Sequence, residues 1–174
     1  LGEWIIQLAG ETPSHIIAPA LHRDRHQIKD LFVDTVAAPL DLGTEPTELV
    51  RFARRRLREV FLAAEVGITG ANIAVGETGS IVLVPNEGNG RLVTALPRVH
   101  IAVLGMERLA ADWAQADLLL ALLARSATGQ RLSSYTNVVT GVRGEGEVDG
   151  PDELHVVILD NGRSELLAGG VGRA

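Results

Sequence analysis

The chain has 174 residues, 46% hydrophobic and 22% charged, which is enough for one continuous core and too little for two comfortable domains. Lysine and arginine total 16 against 22 aspartates and glutamates, a formal charge of -6, so the long-range pull toward phosphate backbones and anionic membranes is missing and nucleic acid is not an expected partner. No cysteine occurs, which excludes a disulfide, a thiolate zinc site, a cysteine nucleophile and a cysteine-ligated iron–sulfur cluster within these residues.

The chain begins with an apolar stretch, Trp4 to Leu8, then a turn signal from Gly10 to Ser14, then Ile16-Ile17-Ala18 stopped by Pro19. Proline lacks the amide that a helix or strand interior needs, so this region predicts irregular structure. Gly2 to Ile6 reads as the end of an element, and the chain as a fragment of a longer product. From about Asp24, Ile28, Leu31, Phe32 and Val36 recur at helical spacing until Pro39, predicting a first helix. Thr44-Glu45-Pro46 starts a second, with Val50, Ala53, Leu57 and Val60 on its buried side. Its other face carries Arg51, Arg54, Arg55 and Arg58. Glu48 and Glu59 lie three or four residues from several of them, so a solvated, ion-paired face explains the stripe better than a phosphate site does.

From Val66 to Gly105 there are seven glycines and two β-rich runs, Ser80 to Val84 and His100 to Leu104, the second expected to be buried on both faces. Gly76-Glu77-Thr78-Gly79 and Pro85 to Arg91 are bends in which glycine and asparagine permit positive φ and can expose backbone amides. A long helix is predicted from near Met106 or Ala110 to about Ala127, stopped by Gly129. Its broad apolar coverage predicts burial between a sheet and another layer or a partner. Its densest apolar run, Leu118 to Ala124, is far shorter than the roughly 20 residues a membrane span takes. With no basic and apolar leader at the start, the reading is a cytoplasmic protein without a membrane span. Strands follow at Ser134 to Val139 and Leu154 to Leu159. The loop between them, Gly141 to Glu153, holds five acids, one arginine and four glycines and is expected to be mobile. Strands alternating with helices predict an α/β fold, a layered and mostly parallel sheet with flanking helices.

Two segments could carry chemistry. Nests of amides in glycine-rich turns can hold a carboxylate or phosphate, and Arg91 could add a bidentate donor. Asp160-Asn161-Gly162-Arg163 repeats the pattern directly after a strand, in the zone where open α/β sheets gather ligands. Ordinary tight turns remain the alternative at both places, because neither a P-loop nor Gly-x-Gly-x-x-Gly is present. The candidate ligand-binding residues are Thr69, Asn72, Thr78, Gly79, Ser80, Asn86, Gly88, Asn89, Gly90, Arg91, Asn161, Gly162 and Arg163. Glu77 and Glu87 are the candidate acid–base groups, or solvated turn carboxylates. The site reading requires the two bends to turn their amides and a guanidinium toward one shared hollow. Ser133-Ser134-Tyr135-Thr136 offers hydroxyls that cap and turn roles explain equally well. His22 and His26 lie one helical turn apart, but Arg23 and Arg25 oppose a cation there, and no metal is expected. His15, His100 and His155 read as structural histidines. Gly-x-Ser-x-Gly is absent, which disfavours a serine hydrolase.

Ile68 to Ala74, Glu77 to Val84, Asn86 to Leu92 and Leu96 to His100, taken in order, closely resemble the lactate utilisation, or LUD, domain family. Leu1 to Leu8, Pro13 to Ala20, Arg125 to Gln130, Ser133 to Tyr135, Gly150 to His155 and Asp160 to Ser164 resemble its larger, iron–sulfur subunit type. The resemblance implies a fold like the NagB, ribose-5-phosphate isomerase and CoA-transferase group, and membership of a bacterial cytoplasmic complex that oxidises L-lactate to pyruvate. It assigns residues 1–168 to a partial LUD-type domain whose earlier part is absent, and 169–174 to a linker toward an absent iron–sulfur segment. No cofactor is then expected in this chain, and 4Fe-4S clusters only in the missing part. Expected partners are other lactate utilisation subunits, a small carboxylate or phosphate-bearing ligand, and a second copy as a homo-oligomer. Whether the domain is itself catalytic stays open. A stand-alone transferase or isomerase of the shared fold, with Glu87 as nucleophile, and a non-catalytic assembly domain are the alternatives.

Overall fold

The computed structural model describes residues 1–15, 18–85 and 87–169, and the chain forms two compact units, Leu1–Val60 and Phe61–Ala174. Composition alone predicts one continuous core; instead, separate apolar clusters form in the two units.

The first unit is helical. Helix α1 (Gly2–Ala9) replaces the expected irregular start. It ends at Gly10, whose φ of 65° gives the left-handed cap that glycine adopts without penalty. Ile16 and Ile17 lie outside the described residues. Helix α2 (Arg25–Val36) starts from a reciprocal cap: the Asp24 carboxylate accepts from the amides of His26 and Gln27, and the Gln27 side chain accepts from the Asp24 amide. Helix α3 (Pro46–Ala63) buries Leu49 and Ala53. Val50 and Val60, expected inside, are 49% and 57% exposed, so the buried stripe is rotated by one residue, to Leu49, Phe52, Ala53 and Leu57. Arg51, Arg54, Arg55 and Arg58 are exposed, and Arg56 pairs with Glu59 at 3.1 Å. Phe32 lies at the centre of this core, its ring 5.2 Å from that of Trp4 and 5.5 Å from that of Phe52.

The second unit is the α/β part. Strands β1 (Val66–Gly70), β4 (Val99–Gly105) and β7 (Glu153–Leu159) form an all-parallel sheet in the order β1-β4-β7. Strands β2 (Ile73–Val75), β3 (Ser80–Leu83), β5 (Leu109–Ala110) and β6 (Asn137–Val139) form a second sheet in the order β5-β2-β3-β6, in which β5 runs parallel to β2 and the β2–β3 and β3–β6 pairings are antiparallel. The two sheets share a core in which Ala74, Ile81 and Leu83 meet Ala102 and Leu104. β4 alternates buried and half-buried residues, as a strand covered on one face does. The strands buried throughout are β2 and β3, not β4 as the sequence suggests.

Helix α4 (Asn89–Ala95) packs on β1, where a methyl group on Gly67 would lie 2.3 Å from the Val93 carbonyl oxygen. Helix α5 (Trp113–Thr128) starts at Asp112, whose carboxylate accepts from the Gln115 amide, and ends at Gly129 with φ 72°. A 3-10 turn and β5 occupy Met106 to Ala110, so the helix begins later than the sequence suggests. Ala116 and Ala124 are buried and Leu120 packs on the second sheet, whereas Leu118 is 61% and Leu122 53% exposed. Its broad apolar surface is therefore open in this chain. Helix α6 (Arg163–Ala168) follows β7. The acidic loop is fastened rather than loose: the Arg143 amide donates to the Pro151 carbonyl, that of Gly150 to Ala95, and Asp152 is gripped by Arg98 and Arg143. Residues 170–174 of the expected linker lie outside the described residues.

Candidate functional site

Two cavities share Pro85 in their walls: one lies between the bend after β3, α4 and the start of β6, the other at the carboxyl end of β1. One, of about 260 Å³, is lined by Pro85, Glu87, Gly88, Arg91, Tyr135 and Asn137. The other, of about 380 Å³, is lined among others by Thr69, Asn72, Asn89 and Gly90. The first is smaller than the roughly 300–1,000 Å³ of drug-sized sites and suits a ligand of a few heavy atoms.

Arg91 projects from α4 while Asn137 reaches it from β6. Among the described residues the Arg91 guanidinium makes no ion pair; its Nη2 lies 3.5 Å from Asn137 Oδ1, at the limit of hydrogen-bond range. A cation with so little neutralisation beside a small hollow can take a carboxylate in the two-pronged geometry of guanidinium recognition. Tyr135, 57% exposed, brings a hydroxyl to the same cavity. Its row of hydroxyls is visible in the sequence without a role. Asn137 is missed there because its place depends on the pairing of β6 with β3.

In the 380 Å³ cavity, the side chains are held from within. Asn72 Oδ1 accepts from the Val84 amide at 2.7 Å. Thr69 Oγ1 lies 2.8 Å from Nε2 of His100, a residue with no exposed surface. Burial pushes the His100 imidazole below its ordinary pKa and so keeps it neutral.

The expectation of one hollow shared by two bends is corrected by the hairpin. Gly76 to Gly79 precede β3 and Pro85 to Arg91 follow it, so the bends stand at opposite ends of a strand roughly 13 Å long. Three of the four amides of the first bend are also spent: Gly76 donates to the Ala110 carbonyl, Glu77 to Ala111 and Gly79 to Val75. Thr78 and Ser80 join a hydroxyl chain ending at Thr140, with both links 2.7 Å. This bend is a closed hairpin, and Glu77 is not beside Arg91. Asn86 lies outside the described residues.

Asp160 to Arg163 is the turn from β7 into α6, with positive φ at Asn161 and Gly162. Asp160 accepts from the amide and hydroxyl of Ser164, which hold its carboxyl below the usual range. Arg163 is engaged by Glu107, with Nε 2.5 Å from Oε2, and donates to the Asp160 carbonyl at 3.0 Å. An anion at Arg163 would have to displace a carboxylate already in place, whereas Arg91 makes no ion pair among the described residues.

Among the described residues no group of three or more histidines and carboxylates could hold a metal ion. His22 is held by Glu11 at 2.8 Å and by Ser14 at 2.7 Å. The absence of cysteine means these residues do not fit a 4Fe-4S cluster, whose irons are held by thiolates. No electron-transfer step is assigned to them.

Comparison with known proteins places these features. The profile described as LUD domain matches residues 1–159. An uncharacterized electron transport protein, YkgF, of Escherichia coli strain K12 is 53% identical over 97% of this chain and 35% of its own length. Lactate utilization protein B of Shouchella clausii is 54% identical over 96% of this chain and 35% of its own, and that of Bacillus subtilis 51% over the same shares. The chain thus spans about a third of the length of the curated relatives it matches. A crystal structure of a DUF162 family protein from Deinococcus radiodurans is 25% identical, covering 56% of this chain and 55% of its own, with a TM-score of 0.43.

Proposed function

We propose a function on one premise: the chain belongs to the LUD domain family. It serves as a domain of a lactate-utilisation subunit, holding a small carboxylate such as L-lactate beside Arg91 while electron transfer proceeds in other parts of the intact protein. The role is supported by about half the residues being shared with proteins named for lactate utilization over nearly the whole of this chain. The ligand reading rests on the Arg91 guanidinium, which makes no ion pair among the described residues, in a hollow of about 260 Å³.

An assembly role is favoured by a separate observation. Leu118, Leu119 and Leu122 of α5 are 61%, 39% and 53% exposed, an apolar strip of the kind that the core of a subunit interface uses. The two readings are compatible, with partner subunits of the same lactate pathway docking on α5.

The test is genetic. In a bacterium growing on L-lactate, the intact subunit carrying Arg91→Ala is expected to accumulate normally and to fail to support growth on lactate. Normal growth on lactate with that variant would contradict the carboxylate reading.

A further inference from the structure

The cavity at the carboxyl end of β1 differs chemically from the one at Arg91. Among the described residues no charged side chain lines it, and its walls are apolar, with Ile68, Leu83, Val84 and Val93 among them. Its polar side chains are Thr69, Asn72 and Asn89. In each of them the oxygen is already used. Asn72 Oδ1 accepts from the Val84 amide at 2.7 Å, and Asn89 Oδ1 from the Gly90 amide at 2.9 Å. Each asparagine is left with amide N–H groups to give.

Thr69 is settled by His100. The imidazole is fully buried, Nε2 is 2.8 Å from Thr69 Oγ1, and Nδ1 has no partner among the described residues. One ring nitrogen of a neutral imidazole carries hydrogen and the other a lone pair. Were Nε2 the acceptor, Nδ1 would be a buried N–H with nothing to donate to, the rarer and costlier defect. The favoured tautomer has Nε2–H donating to Thr69 Oγ1 and a bare lone pair on Nδ1. The Thr69 hydroxyl hydrogen is then released to donate elsewhere, and Thr69 lines the cavity.

We propose that this cavity binds a neutral carbonyl compound, a ring ketone or quinone, whose oxygen accepts from the Thr69 hydroxyl and the asparagine amides while its body lies on the apolar walls. A carboxylate gains less here, since among the described residues no cation lines the cavity to balance it. The volume of about 380 Å³ falls in the range of small-molecule sites. His100 acts as a positioning residue that sets the direction of the Thr69 hydrogen bond. The inference is independent of the carboxylate reading at Arg91.

The experiment uses the intact subunit, with menadione as the quinone probe, cyclohexanone as the simple ring ketone and L-lactate as the charged contrast, each followed by calorimetry. Menadione is expected to bind the wild type. Thr69→Val should weaken it roughly 3- to 10-fold, while Thr69→Ser and His100→Gln, which keep the donors, stay within about 2-fold. L-lactate affinity should be unchanged by Thr69→Val. Cyclohexanone showing the same pattern identifies the carbonyl as the recognised group; its failure with menadione succeeding identifies the quinone ring. Histidine-selective 15N labelling should find His100 protonated at Nε2 and bare at Nδ1, a readout that needs no variant to fold. A wild type that binds neither carbonyl probe, a Thr69→Val variant that binds menadione as tightly as wild type, or the opposite tautomer would overturn the proposal.

Discussion

Leu83 of β3 and Asn137 of β6 stand opposite each other in the antiparallel ladder, and this register is what brings the Asn137 side-chain oxygen, Oδ1, to 3.5 Å from Arg91 Nη2. A slip of one residue would turn Asn137 to the other face of its sheet and leave Arg91 without its neighbour. Asn137→Leu keeps the strand and removes the acceptor. It is expected to weaken L-lactate binding by the intact subunit roughly 2- to 10-fold, read by calorimetry. Unchanged affinity would mean that Asn137 does not orient the guanidinium.

Gly67 of β1 faces α4 with no room for a side chain. A methyl group there would sit 2.3 Å from the Val93 carbonyl oxygen and 3.0 Å from Val93 Cγ1. Backbone cannot yield as a flexible side chain would, so Gly67→Ala should cost about 1–3 kcal/mol and lower the Tm of the intact protein. A Tm equal to the wild type would show that the helix can move away freely. Because α4 carries Arg91, the same variant should also weaken lactate binding.

Glu11 receives Arg23 and the ring of His22, and these hydrogen bonds, Arg23 first, hold its carboxyl at about 2 against an ordinary 4.5. A carboxyl with a depressed pKa stabilises the fold above its unfolded value and loses that contribution as pH falls through the folded one. Local protection from amide exchange in α1 and the following turn should therefore decline between about pH 4.5 and 2 in the wild type. In Glu11→Gln the decline over that window should be shallower. Identical pH profiles for the two proteins would refute the linkage.

The exposed strip on α5 predicts a separation of stability from assembly. Leu118→Glu with Leu122→Glu should leave thermal stability within about 0.5 kcal/mol, since both side chains are largely in water already. The same pair should release the intact subunit from the partner subunits proposed above in size-exclusion chromatography. Retention of the complex would place the partner surface elsewhere.

Much of the fold is legible where the signal is local. Thr44-Glu45-Pro46 and Gly129 mark helix ends found at Pro46 and Thr128, and the β-rich runs at Ser80 and His100 are strands. Helix α1 is missed because eight apolar-rich residues before a glycine turn carry no capping residue to announce a helix. The site is legible at Arg91 and Thr69 and not at Asn137, whose role depends on a strand partner more than fifty residues away. Two glycine bends look alike in sequence, yet β3 separates them and the neighbouring carbonyls of Ala110 and Ala111 close one of them. Arg163 shows the same limit, since only the fold reveals that Glu107 already holds it.

The Arg91 guanidinium is the proposed anchor for a carboxylate. Calorimetric titration of the intact subunit with L-lactate, comparing wild type with Arg91→Ala and Arg91→Lys, addresses this directly. The prediction is a loss of roughly 10- to 150-fold in affinity for Arg91→Ala, the effect of removing a charge-assisted pair, with Arg91→Lys between the two. Equal affinity in all three proteins would contradict the account.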